Sequence, residues 1–150
     1  MKLLIGKWKG LIDMHYVELV SRVTKPDLKP FDHFTHFGAT LNGYVVIPDQ
    51  MPLDYYSVVY QDIDTTPIGG LTFGGYFTEI NGELSCLYLD AWPTYDPNNF
   101  SKEELEAIES INKLSVRAIG FDNNHIWTNE MGAEDGAEYL SEELKKIKVV

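Results

Sequence analysis

Two runs carry residue types that do chemistry. Ile119-Gly120-Phe121-Asp122-Asn123-Asn124-His125 ends an apolar stretch in an acid, two amides and an imidazole, which is how a buried strand delivers polar groups to a loop. Fifty residues earlier, Gly69-Gly70-Leu71-Thr72-Phe73 sets a glycine pair and a hydroxyl against β-prone residues. Asp122 and His125 are close enough in sequence for the carboxylate to orient the imidazole for general-base work, for both to ligate a metal, or for both to hold a polar ligand. A purely structural reading stands beside these: Asp122 caps a turn and His125 satisfies buried backbone.

A metal site needs three or four ligands. The chain has four histidines, and His15, His33 and His36 show no helical His-x-x-x-His spacing with which to join Asp122 and His125. No metal or cofactor is therefore expected. The glycine pair is not a dinucleotide fingerprint, since no G-x-G-x-x-G leads from a strand into a helix, and there is no Walker A pattern. Backbone amides beside Gly69 and Gly70 could still face a phosphate or a base edge. No G-x-S-x-G elbow occurs, and the single cysteine, Cys86, lies in an apolar run without an adjacent base, so nucleophilic catalysis is not indicated. Tyr44 and Trp127 are the aromatics best placed to wall a pocket formed by Gly69, Gly70, Thr72, Asp122 and His125. Trp92-Pro93-Thr94-Tyr95-Asp96-Pro97 is a second loop with aromatics.

These runs, with Asn42-Gly43-Tyr44-Val45-Val46-Ile47-Pro48 upstream, resemble a group of uncharacterised phage-encoded and prophage-associated small proteins. That group carries C/N-G-Y-V-x-x-P, H-G-G-L-T-Y/F and I-G-F-D-x-x-H segments followed by a C-terminal helix, and the likeness spans about residues 36 to 147. The chain departs from the pattern at Ile68, where the group has a histidine, and after His125, where Ile126-Trp127-Thr128-Asn129-Glu130 lacks the usual G-D. The resemblance implies a phage-type accessory (anti-defence) protein that binds and sequesters a small nucleotide-like ligand, such as an immune signalling molecule. Two alternatives belong to other classes. One is a hydrolase of a nucleotide-like substrate using Asp122 and His125; the other is an acidic inhibitor of a basic host protein.

The elements that must position these residues follow from pattern. The chain has 150 residues, 44% hydrophobic and 13% aromatic, enough for one domain with a sizeable core. A net charge of −11 and a pI near 4.6 argue against a nucleic-acid backbone or an anionic membrane as partner. No stretch reaches the ~18 apolar residues of a membrane span, and Met1 to Gly6 is too short for a signal-peptide core, so a cytoplasmic protein is expected. The fold class expected is α+β, a mostly antiparallel sheet packed against two helices. Ser101-Lys102-Glu103-Glu104 is a capping box that opens a helix over 102–114, with Leu105, Ile108, Ile111 and Leu114 on one stripe. Ala137, Leu140, Leu144 and Ile147 mark a second helix over 137–147. Strands are expected over His15 to Val23, Tyr44 to Ile47, Gly69 to Tyr76, Tyr76 to Ile80, Glu83 to Asp90 and Val116 to Phe121. Asn81-Gly82 is a hairpin turn between two of them. Phe31 to Phe37 reads as an aromatic loop, Asn42-Gly43 as a turn, and Leu53 to Tyr60 fits strand or helix equally well. The oligomeric state is not legible.

Overall fold

The computed structural model describes residues 2–3, 20–36, 42–49, 59, 61–80, 82–87, 96–122 and 131–147. The protein is α+β. Its chain divides into two compact units, each assembled from two separated stretches: Met1–Asp27 with Gly75–Val116, and Leu28–Gly74 with Arg117–Val150.

In the first unit, β1 (Lys2–Leu3) pairs parallel with β6 (Glu83–Leu87), and β6 pairs antiparallel with β5 (Phe73–Ile80). The β5–β6 hairpin closes at Ile80↔Glu83 through a two-residue loop, and Gly82 adopts φ +79°, the left-handed value that such a loop demands. On the other edge, β2 (Val23–Thr24) pairs antiparallel with the end of β5. Helix α1 (Lys102–Lys113) follows a 3₁₀ turn at Pro97–Asn99, which Asp96 caps by accepting the Asn98 N–H at 2.9 Å. The α1 capping box is present: Ser101 Oγ accepts from the Glu104 amide at 3.1 Å, and Glu104 Oε1 accepts from the Ser101 amide at 2.8 Å. Val23, Ile108 and Ile111 form this unit's core, with Val20, Ile80, Phe100, Leu105 and Leu114 around it. Buried Thr78 ties three elements together, its hydroxyl lying 3.1 Å from the Thr24 carbonyl and 3.2 Å from that of Leu114.

The second unit is built on three antiparallel strands in the order β3 (His33–His36), β4 (Asn42–Ile47), β7 (Val116–Asp122). Helix α2 (Ala133–Lys145) packs on one face of them. Side chains alternate across a strand, so Gly43, Val45 and Ile47 share the helix face with Phe121 and Ile119, while Asn42, Tyr44 and Val46 share the opposite face with Asp122 and Gly120. Val45, Ile47, Ile119, Phe121, Ile68, Leu71, Ala137, Leu140 and Leu144 make up the bulk of the core. Three glycines create the space for it. A Cβ on Gly43 would meet the Phe121 ring, one on Gly136 would lie 2.7 Å from that ring and 3.0 Å from Ile68, and one on Gly120 would meet the Gly43 carbonyl and the Tyr44 ring.

Several expectations are corrected. The second helix starts at Ala133, not 137, and ends at Lys145. Gly132 and Gly136 disguise its first turn in sequence, yet Glu134 and Asp135 suit the helix N-terminus, and Gly136 is present because Phe121 occupies its side-chain space. In the stretch expected as a strand over His15 to Val23, Val20 to Arg22 are helical and only Val23–Thr24 extend; His15 to Leu19 lie outside the described residues. The aromatic loop contains a strand, β3, because His33 to His36 pair with β4. Asn42-Gly43 continues β4 instead of turning, since the Phe121 ring fills the place a side chain would take. Residues 69 to 72 form the end of a turn and its exit, and β5 begins only at Phe73. Val59 is helical; the rest of Leu53 to Tyr60 that was open between strand and helix lies outside the described residues, as do Tyr88 to Asp90 and the Cys86 side chain.

The tightest of these approaches gives a test. Gly120→Ala should lose about 1–3 kcal/mol in urea unfolding, because the new methyl meets a backbone carbonyl that has no side-chain freedom to yield. Gly132→Ala, whose Cβ has nothing within 4 Å, should change stability far less. Equal losses from both would show that the β4–β7 approach is not the constraint.

Candidate functional site

The β4–β7 pairing sets the geometry. Its register runs Asn42↔Asp122, Gly43↔Phe121, Tyr44↔Gly120, which places the Asn42 and Asp122 side chains on one face as a directly opposed pair. β3 extends the same row, with His36 level with Asn42.

Thr72 locks onto the other edge of β7. Its amide donates to the Gly120 carbonyl at 2.9 Å, and its Oγ1 accepts the Asp122 N–H at 2.9 Å. Thr72 and Asp122, fifty residues apart in the chain, therefore meet through this hydrogen bond. Thr72 is exposed and Asp122 half-buried.

Tyr44 is almost wholly enclosed, 6% exposed, in an aromatic group that sequence did not assemble. Phe34 stacks on it at 5.3 Å between ring centroids with 25° between planes, and Phe73 meets it edge-on at 5.0 Å and 80°. Its ring is a packed wall. Its phenol oxygen accepts from Asn42 Nδ2 at 3.3 Å, which turns Asn42 Oδ1 the other way. That oxygen is buried and finds no donor among the described residues. Buried acceptors in folded proteins are rarely left this way, since each costs about 1–3 kcal/mol of lost hydration.

Gly69 and Gly70 have a different task from the one sequence suggested. Both adopt left-handed φ, +76° and +90°, and close a turn that starts at Thr65. The Gly69 N–H donates to the Thr66 carbonyl and the Gly70 N–H to that of Thr65, each at 3.0 Å, a pattern with which helices also end. Their amide donors are thus committed to the turn and are not presented to a phosphate or base. The turn in turn fixes Ile68, fully buried against Gly136, at the position where the resembled group carries a histidine. His125 and Trp127 lie outside the described residues. Among the described residues no three His, Cys, Asp or Glu side chains gather as a metal set, and no helix is long and apolar enough to cross a membrane.

The same turn borders an open cleft of about 360 Å³ lined by Asp62, Ile63, Glu143, Lys146 and Ile147, none of which belongs to the sequence-predicted site. Nearby, the Tyr139 hydroxyl donates to the Asp64 carbonyl at 2.7 Å. Partial burial, then the charges of Glu143 and Asp64, raise its pKa and keep it a donor. Asp64 itself is held below the usual carboxylate range, first by the Thr66 hydroxyl and then by the Thr66 amide.

Asn42 is the residue that sequence reasoning passed over. Asn-Gly reads as a turn by itself, and only the strand register sets Asn42 beside Asp122. Its place at the head of the Asn42-Gly43-Tyr44-Val45 run was the available signal. No protein-family model, no curated protein and no solved structure matches this chain. The likeness to the phage-encoded group rests on its motif residues alone.

Two measurements follow from this geometry. Thr72→Val should cost roughly 0.5–1.5 kcal/mol and accelerate hydrogen exchange at the Asp122 amide, while Thr72→Ser keeps the acceptor and the protection. Unchanged exchange in the valine variant would remove the Thr72–Asp122 link. For Asp64 the sign is that of a depressed acid: its contribution is full above the unfolded-chain value near 3.8 and disappears as pH falls through the lower folded value. Protection of the Thr66 amide should accordingly fall in that acid range in the wild type and show no such dependence in Asp64→Asn.

Proposed function

We propose that this chain is a phage-type accessory protein that binds a small nucleotide-like ligand at the β4–β7 strand ends and sequesters it without turnover. The observation that carries the reading is the buried Asn42 Oδ1 without a described donor, beside Thr72, Asp122 and the Phe34–Tyr44–Phe73 aromatic group. Sites for small molecules combine an apolar wall with a few placed polar groups, and this strand end has that composition. An orphaned acceptor is what a ligand's N–H would satisfy.

Sequestration is preferred to hydrolysis because the groups gathered here among the described residues are an amide, a hydroxyl and a single carboxylate, without the second titratable group that paired acid–base work needs. Hydrolysis would need Asp122 and His125 to act together as acid and base. The phage context comes from the resemblance, and with it go the host cytosol as location and an immune signalling molecule as ligand. The third reading, an inhibitor of a basic host protein, has only the −11 charge behind it.

The test is a panel of mono-, di- and cyclic nucleotides incubated with the full chain, read by melting temperature and by chromatography of the recovered ligand. A ligand-dependent rise in melting temperature with the nucleotide recovered intact is expected, and Asn42→Ala should abolish the rise. Recovery of a product would replace sequestration by the hydrolase reading. No rise with any nucleotide would overturn nucleotide binding.

A further inference from the structure

We propose that β3 is a self-pairing edge. Two copies of this chain pair there antiparallel about a two-fold axis, with Phe34 opposite Phe34 of the second copy and His33 opposite its Thr35. The pairing is independent of what the β4–β7 strand ends bind.

β3 is the last strand of the sheet, with β4 on one side and no described strand on the other. Along an antiparallel strand the backbone groups alternate, one residue bonding to its neighbour strand and the next turned away. The Val46 N–H fixes the phase by donating to the Asp32 carbonyl at 2.9 Å, one register step before His33↔Val45. Phe34, paired with Tyr44, therefore bonds to β4, while His33 and Thr35 direct their N–H and C=O groups outward. These outward groups have no partner among the described residues; His33 is exposed and Thr35 half-buried. Such a row is a template for another strand, and folded proteins commonly blunt it with lysine, proline or an inward charge. His33-Phe34-Thr35-His36 carries none of these.

Self-complementarity points to a second copy as the occupant. The chain has 23 Asp and Glu and a net charge of −11, so two copies repel over much of their surface, yet β3 contains no acid. With the two-fold axis at Phe34, His33 of each copy forms a hydrogen-bonded pair with Thr35 of the other. Each pair exchanges both bonds, which satisfies every outward group of the three residues. Phe34 takes the closer, non-hydrogen-bonded position between them, where cross-strand aromatic side chains interact. It is half-buried and already stacks on Tyr44 at 5.3 Å, so the pairing continues the Phe34–Tyr44–Phe73 group from one copy into the next. One step outward, Asp32 falls level with His36 and not with an acid. So short an edge makes a small interface, and the dimer is a reversible one.

Sedimentation velocity of the full chain from about 10 μM to about 1 mM, the range in which a small interface exchanges, should show the 17.1 kDa species giving way to one of twice that mass. Over the same range, hydrogen exchange at the His33 and Thr35 amides should slow by about tenfold, whereas the Phe34 amide, bonded to β4, is protected throughout. Thr35→Pro removes an outward donor without touching the β4 ladder, a place where an edge strand tolerates proline. It should abolish the dimer and leave the urea midpoint of the monomer close to that of the wild type. A wild type that stays monomeric at every concentration overturns the proposal. So does a dimer in which exchange at His33 and Thr35 is unchanged, since it would use another surface. Should Thr35→Pro fail to fold, the concentration dependence of wild-type exchange at those two amides decides alone.

Discussion

The close approach of β4 and β7 is the constraint on which the second unit depends. At two successive register pairs an aromatic residue stands opposite a glycine: Phe121 opposite Gly43 on the helix face, Tyr44 opposite Gly120 on the other. Each ring occupies the volume that the glycine leaves, so the two faces of the pairing are locked in opposite senses. A slip of one residue would exchange the faces and drive both rings into backbone. Gly136 extends the lock to α2 by admitting Phe121 into the helix surface, and Ile68 closes the same contact from the 65–70 turn.

The polar geometry is a consequence of that lock. With Tyr44 over Gly120, the next pair outward on that face is Asn42↔Asp122, and their side chains must share it. Thr72 arrives from the turn that Gly69 and Gly70 make possible, and its two bonds to β7 hold it level with Asp122. The glycine pair thus serves the site through backbone shape, by aiming Leu71 into the core and Thr72 at the strand end. Phe31 marks a further place where shape is imposed. Its φ of +71° is unfavourable for a residue with a Cβ, and it is held by its own N–H on the Val46 carbonyl at 2.7 Å and by the buried Ser141 hydroxyl on its carbonyl at 2.6 Å.

The first unit follows local rules more closely. Its helix is delimited by a capping box, its hairpin by a glycine with positive φ, and its core by a stripe at helical spacing. Local pattern does not announce Thr78, a buried hydroxyl that joins β2, β5 and the end of α1.

The sequence by itself determined what is encoded within a few residues. The α1 helix with its Ser101–Glu104 box, the β5–β6 hairpin, the β7 strand and the apolar face of α2 were legible because capping, turn chemistry and periodicity act over one or two turns of chain. A cleft shared by Gly69, Thr72, Asp122 and His125 was an expectation from sequence; of these the structure joins Thr72 to Asp122 by a hydrogen bond. Tertiary structure alone decided the meaning of the glycines and of Asn42. Gly43 reads locally as half of a turn, Gly120 as an ordinary strand residue and Gly136 as a position before the second helix, and only the rings packed against them show why a side chain is excluded. Asn42-Gly43 has the composition of a turn, but long-range pairing to β3 and β7 outweighs that preference and makes Asn42 a strand residue beside Asp122. Local propensities amount to about 1 kcal/mol, whereas the packing of two buried aromatic rings is worth several, so where the two disagreed the rings prevailed.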